Sequence, residues 1–230
     1  MGVRLQEVVP FGRSLDEYVK IFNLTETDLH RTILGIADGP ASFNAEATQQ
    51  GSTIISVDPL YQFSGSEIRQ RFDAVLDDII YQVASTPDDF VWTYHASPEA
   101  LRNSRVQTIE RFLADYDRGL QEQRYCFGEL PHLNFPDNHF DLALCSHLLF
   151  LYSEQLGETF HRQAIYELAR VSREVRIFPL ITLMLGRSPF LDPLISELEQ
   201  VGYHVQIERS HYEFQKGGNE MLVIKTNTSP

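Results

Sequence analysis

From Thr32 onward, short apolar runs alternate with longer amphipathic stretches, and this alternation constrains the fold more tightly than any other feature of the sequence. TILGIADGPASF is an apolar run that ends in small residues and a proline, the pattern of a buried strand entering a tight turn. NAEATQQG then reads as a helix stopped at Gly51. TIISVDP is a second strand, rich in β-branched residues and closed by Asp58-Pro59. RYCF, FDLALCS and VRIFPLI read as further strands, and EQLGETFHRQAIYELARVS and PFLDPLISELEQVGY as helices. HVQIERSHYEF and EMLVIKT flank Lys216-Gly217-Gly218-Asn219 and read as a β-hairpin. Strands that alternate with helices bury both faces of their sheet. The expected class is therefore α/β, with a mostly parallel sheet, helices on both faces and a C-terminal antiparallel hairpin.

At 230 residues the chain suits a single domain spanning 1–230. Two short helices are expected within 1–31, capped by Ser14 and Thr25. Two longer amphipathic helices, SGSEIRQRFDAVLDDIIYQVA and SPEALRNSRVQTIERFLADYDRGL, fall in a helical insertion over 62–123 between the second and third strands. That insertion is a candidate lid.

Acids outnumber bases 32 to 19, a formal charge of -13, with Arg and Lys scattered singly. Such a field repels phosphate backbones, so nucleic acid is not an expected partner. No basic start followed by an apolar run marks a secretory signal, and no stretch has the length of a membrane span. With only Cys126 and Cys145, the chain suits a reducing compartment, and the cytoplasm is the expected location. His132 and His139 lack zinc-type spacing, so no metal is expected. Oligomeric state is unreadable.

In parallel sheets of this kind, ligands bind at the carboxyl ends of the strands, beside the point where strand order reverses. The loop after the first strand is Ala37-Asp38-Gly39-Pro40-Ala41-Ser42, whose small residues let a ligand approach the backbone. Asp58 ends the second strand, where a carboxylate can accept both hydroxyls of a ribose. Loop and acid together suit an adenosine-type ligand without distinguishing its kind.

GELPHLNFPDNHFDLALCSH (128–147) resembles the segment of class I S-adenosylmethionine-dependent methyltransferases that usually reads G-D-A-x-x-L-P-F-P-D-N-S-F-D. The likeness runs without a gap from Gly128 to Asp141, with Glu129 in place of the Asp. GPASFNAEA followed by SVDPLY is similar to a bacterial branch of the same family. The resemblance covers 25–60 and 124–226 and implies a Rossmann-like methyltransferase fold with S-adenosylmethionine as cofactor. It implies that Ala37, Gly39 and Ala41 underlie the methionine part and that Asp58 binds the ribose. Glu129 would receive the adenine amino group beside a backbone contact at Leu130, and Cys145, Ser146 and His147 would face the sulfonium. In the first loop three positions depart from the family pattern: Gly35 stands where it usually opens with an acid, and Ala37 and Ala41 replace glycines. Asp38 is expected to supply the missing carboxylate to the cofactor's ammonium group.

The implied activity is methyl transfer to an unidentified small-molecule acceptor, a displacement that needs alignment and sometimes a base. His147 is the candidate base, with the first turn of a helix as its structural alternative, and Tyr152 is a weaker candidate. Trp92, Tyr94 and His95 either close over the cofactor or anchor the added helices. Two other functions stay open. One is a non-catalytic relative that binds S-adenosylmethionine or S-adenosylhomocysteine as a sensor or partner protein. The other is a dinucleotide oxidoreductase, which lacks here its three spaced glycines.

Overall fold

The computed structural model describes Leu5 and residues 8–226; the parts of the N-terminal reading that fall on 1–4, 6 and 7 lie outside them. Seven strands form one sheet: β1 (Thr32–Ile36), β2 (Thr53–Val57), β3 (Tyr125–Cys126), β4 (Leu142–Ser146), β5 (Glu174–Phe178), β6 (His204–Arg209) and β7 (Glu220–Lys225). Their order is β3-β2-β1-β4-β5-β7-β6, parallel throughout β1 to β5. β7 runs antiparallel between β5 and β6. The expected class and terminal hairpin are those observed. Strand order reverses between β1 and β4, which opens a crevice at the carboxyl ends of those strands.

Seven helices cover the sheet among the described residues: α1 (Leu15–Phe22), α2 (Glu26–Leu29), α3 (Phe43–Gln49), α4 (Gly65–Ser85), α5 (Pro98–Gln121), α6 (Ser153–Val171) and α7 (Leu191–Gln200). The caps read from the sequence form full capping boxes. Ser14 pairs with Glu17 and Thr25 with Asp28, each side chain accepting from the other residue's amide. α6 breaks at Gly157, which has φ 69°.

One core face of the sheet gathers Leu34, Ile36, Cys145, Ile165, Leu168 and Ile177, beneath α6 and α7. The opposite face gathers Ile33, Leu142 and Leu144 with Tyr18 and Phe22 of α1 and Phe43 of α3. Within 62–123, α4 and α5 join through Ile68, Phe72, Leu76, Ile109 and Phe112. Tyr116 of α5 meets the Tyr125 ring of β3 at 5.5 Å between centroids.

Several strands are shorter than the sequence patterns suggest; VRIFPLI stays in the sheet only to Phe178 and FDLALCS enters it only at Leu142. RYCF contributes only Tyr125–Cys126 to the sheet. β6 stops at Arg209 rather than continuing to Phe214. The Ser210 hydroxyl donates to the carbonyl of Ile21 at 2.8 Å, and Tyr212 turns into the core beside α1. Tertiary contacts with α1 therefore outweigh the alternating pattern that suggested a longer strand.

Candidate functional site

Where β1 and β4 diverge, a cavity of about 450 Å³ opens. It is lined by the loop after β1 (Ala37, Asp38, Gly39), the end of β2 (Asp58, Pro59, Leu60), the loop after β3 (Gly128, Glu129, Leu130) and the end of β4 (Ser146, His147, Leu148). Tyr152 also lines it. Nine of the eleven residues singled out from the sequence thus border one space. Ala41 and Cys145 do not. Ala41 packs with Tyr18 and Phe43, and Cys145 is sealed in the core on the far side of β4. Burial pushes the Cys145 thiol up to about 12.

The loop after β1 keeps its turn without the glycines expected of it. Ala37 takes the left-handed conformation itself, at φ 55°, held by its amide on the carbonyl of Val57 at 2.9 Å. Gly39 follows at φ 54°. Asp58 ties this loop to the next, its two oxygens accepting from the amides of Gly39 (2.8 Å) and Leu60 (2.7 Å). The Tyr61 hydroxyl completes the corner on the carbonyl of Gly39 at 2.8 Å.

Asp38 explains why position 35 is glycine. A Cβ added at Gly35 would lie 1.9 Å from Asp38 Oδ2, so the carboxylate occupies the space above that residue. Tyr18 donates to Oδ1 and Ser56 to Oδ2, both at 2.6 Å. Gly35→Ala must push Asp38 off both hydroxyls. Its expected result is a folded protein destabilised by about 1–3 kcal/mol with weakened ligand affinity, read by urea unfolding and calorimetric titration. A variant with wild-type stability would show that the loop yields freely.

Neither Asp38 nor Asp58 pairs with a cation among the described residues. Burial, the dominant cause, pushes each up to about 6 against hydrogen bonds that act the other way, and the charge of Asp58 adds to the rise at Asp38.

His147 sits at the end of β4 at φ 58°, its Nδ1 2.8 Å from the Ser146 hydroxyl. Burial, then the guanidinium groups of Arg13 and Arg105, hold it well below the usual imidazole range. It is therefore a neutral hydrogen-bonding group at pH 7 and a weak base. Tyr152 precedes α6 and lines the cavity together with Val9. Burial pushes its hydroxyl up to about 12, so it stays protonated.

The sequence reading missed one wall. Residues 8–13 run across the cavity, contributing Pro10, Phe11 and Arg13. Beneath them Glu17 accepts two bonds from Arg105 at 2.7 Å and one from Tyr212 at 3.2 Å, with His95 alongside at 3.4 Å. Tyr94 bonds Asp16, and Trp92 packs on Phe90 and Phe214, so these aromatics attach the α4–α5 segment to α1 and to the connection between β6 and β7. The end of the 128–141 segment is structural. Asp141 binds the Thr32 amide and hydroxyl, fastening the start of β4 to β1.

Among the described residues, no group of three or more His, Cys, Asp and Glu side chains is placed to hold a metal ion. Nor is any described helix long and apolar enough to cross a membrane.

Strand order and a site at the carboxyl edge define the fold of the class I S-adenosylmethionine-dependent methyltransferases. A crystal structure of magnesium protoporphyrin IX methyltransferase from Synechocystis PCC 6803, with bound S-adenosylmethionine, superposes with TM-score 0.50. The match covers 93% of this chain and 78% of that one at 10% identity, which establishes the fold and not the activity. No protein-family model matches the chain. An uncharacterized protein of Methanocaldococcus jannaschii is 35% identical over 224 residues, 97% of this chain and 98% of its own length. The chain belongs to the family of that protein.

Proposed function

We propose that this protein is an S-adenosylmethionine-dependent methyltransferase that transfers a methyl group to the oxygen, nitrogen or carbon of a small-molecule acceptor. One observation carries the reading: two buried carboxylates, Asp38 and Asp58, face a single cavity, and neither forms an ion pair with a cation among the described residues. A buried acid without a partner is costly, and a ligand that brings positive charge and hydroxyl donors relieves that cost. The residues fit the cofactor on this count. Asp58 would hold the ribose, Glu129 and Leu130 the adenine, Asp38 the ammonium group, and the loop from Ala37 to Ala41 the backbone cradle. The cofactor supplies an activated methyl group on a sulfonium. A dinucleotide would instead bring its pyrophosphate charge toward the same two acids, which disfavours it.

The remaining lining is largely apolar. Val9, Phe11, Ile79, Val83, Leu151 and Phe214 enclose the space beyond the loops. This supports a small, mostly apolar acceptor from which water is excluded during transfer. His147 and Tyr152 would orient such an acceptor, His147 as a neutral acceptor of a hydrogen bond and Tyr152 as a donor. The weak basicity of His147 suits an acceptor that is already nucleophilic more than one that must first be deprotonated.

The test is calorimetric titration with S-adenosylmethionine, S-adenosylhomocysteine and NAD in parallel, followed by an acceptor screen. Binding of both sulfur nucleosides but not NAD, with methyl transfer to at least one acceptor, is expected. Binding without transfer across a broad screen would point to the non-catalytic relative. No binding of either nucleoside would overturn the reading. A pH dependence follows as well. Each acid must be ionised to meet a cationic ligand, so affinity should fall below about pH 6, by up to about tenfold per pH unit for each proton displaced. Heats measured in buffers of different ionisation enthalpy would show proton release near that pH. An affinity that stays flat down to about pH 5 would mean that neither acid pairs with the ligand's charge.

A further inference from the structure

Among the described residues, the polar network beside the cavity holds one cation more than it pairs. Glu17 is fully engaged by Arg105, whereas Arg13 forms no ion pair with any described carboxylate. The only hydrogen bond of its side chain among the described residues runs from one terminal nitrogen to the carbonyl of Phe11 at 3.0 Å, and its buried Nε has no partner there. A guanidinium carries five N–H donors, so the described residues leave most of the binding capacity of Arg13 unspent. Burial, followed by the charge of Arg105, lowers its affinity for the proton it carries, the cost an arriving anion would remove.

The backbone fixes where this capacity lies. The carbonyl of Arg13 accepts the amide of Ser42 at 3.1 Å. At the preceding residue, a Cβ on Gly12 would lie 2.2 Å from the carbonyl oxygen of Pro40 and 2.4 Å from the amide of Ala41. Only glycine allows the 8–13 strap to lie this close to the loop after β1. Arg13 is thereby locked beside the loop that carries Asp38. Both residues line the cavity, and Tyr18, which donates to Asp38, also feels the charge of Arg13.

We propose that Arg13 is the receptor for a ligand carboxylate and that, with Asp38 taking the ammonium group, it makes the site selective for nucleosides bearing an α-amino acid. A half-buried guanidinium and a buried carboxylate, not paired to each other, match the opposite charges of a zwitterion. The inference rests on the cofactor reading above. The same carboxylate chemistry could come from an acidic acceptor, and the lock onto the β1 loop favours the cofactor as its source.

The experiment titrates wild type, Arg13→Gln and Arg13→Lys with S-adenosylhomocysteine and with 5′-methylthioadenosine, which shares the nucleoside and sulfur but lacks the amino acid. Arg13→Gln is expected to weaken S-adenosylhomocysteine binding roughly ten- to hundredfold and leave 5′-methylthioadenosine binding unchanged. Arg13→Lys should fall between. Unaltered 5′-methylthioadenosine binding also shows that the variant is folded. Equal losses for both nucleosides, or no loss for S-adenosylhomocysteine, would overturn the assignment, as would a change confined to the KM of an acidic acceptor. If wild type binds neither nucleoside, the cofactor reading itself has failed. If wild type binds both and Arg13→Gln binds as wild type does, only this inference has.

Discussion

Replacing Glu17 with Gln is expected to cost about 3–5 kcal/mol of folding stability, because it removes one partner of a fully buried ion pair and leaves the other charged. Glu17 is 0% exposed and works at three levels at once. It closes the capping box of α1, accepts both Arg105 nitrogens, and separates the charges of Arg105 and Arg13. Without its charge, two guanidinium groups confront each other beneath the cavity. Urea unfolding should show a lower midpoint with an unchanged slope. Arg105→Met alone should be similarly damaging, and the Glu17→Met/Arg105→Met pair should recover part of the loss, since an apolar pair needs no desolvated charge. Strict additivity of the two single changes would show that the pair is not coupled. The pH response has a definite sign. Arg105, and hydrogen bonds from His95 and Arg105, outweigh burial and hold Glu17 well below its ordinary 4.5. Its contribution is therefore full above that pH and is lost as pH falls toward the folded value, and Glu17→Gln should flatten this acid limb.

The second large effect is expected at Asp58. Asp58→Asn should weaken S-adenosylhomocysteine binding roughly ten- to hundredfold, the worth of charge-assisted bonds to the ribose hydroxyls. It should also loosen the site before any ligand arrives. Asp58 accepts one backbone amide on each oxygen. An asparagine can offer its single oxygen to only one of them, and its NH2 must face the other donor. Calorimetry and urea unfolding on the same preparation separate the two effects. A folded Asp58→Asn protein with unchanged nucleoside affinity would remove Asp58 from the ligand site.

The fold was legible in the sequence because its signals are local. Ser14 and Thr25 announce their helices three residues ahead of the acids that complete the caps. TIISV and LALCS are apolar enough to be read as buried strands without knowledge of their neighbours. Asp58 and His147 were legible because each directly follows a strand, where the topology places ligands, and Glu129 because it lies in the segment that resembles the methyltransferases. What escaped depends on contacts that only the folded chain makes, most of them between residues far apart in sequence. Gly12 is glycine because of Pro40, Gly35 because of a side chain three positions later, and Arg13 lines the site because the strap lies on the loop after β1. A lone arginine before a capped helix carries no signal of its own. The true end of β6 was hidden in the same way, since Tyr212 leaves the sheet to meet α1, almost two hundred residues earlier in the chain.

The direction of β7 has a practical consequence. Because that strand runs against β5, Lys225 pairs with Glu174, the first residue of β5. The described chain therefore finishes at the edge of the sheet opposite the cavity, while residues 8–13 form part of the cavity wall. Purification handles, fluorophores and surface tethers are best attached behind Thr226. The same additions ahead of Val8 would load the strap itself, and a weakened nucleoside affinity in such a fusion would report on the attachment rather than on the protein.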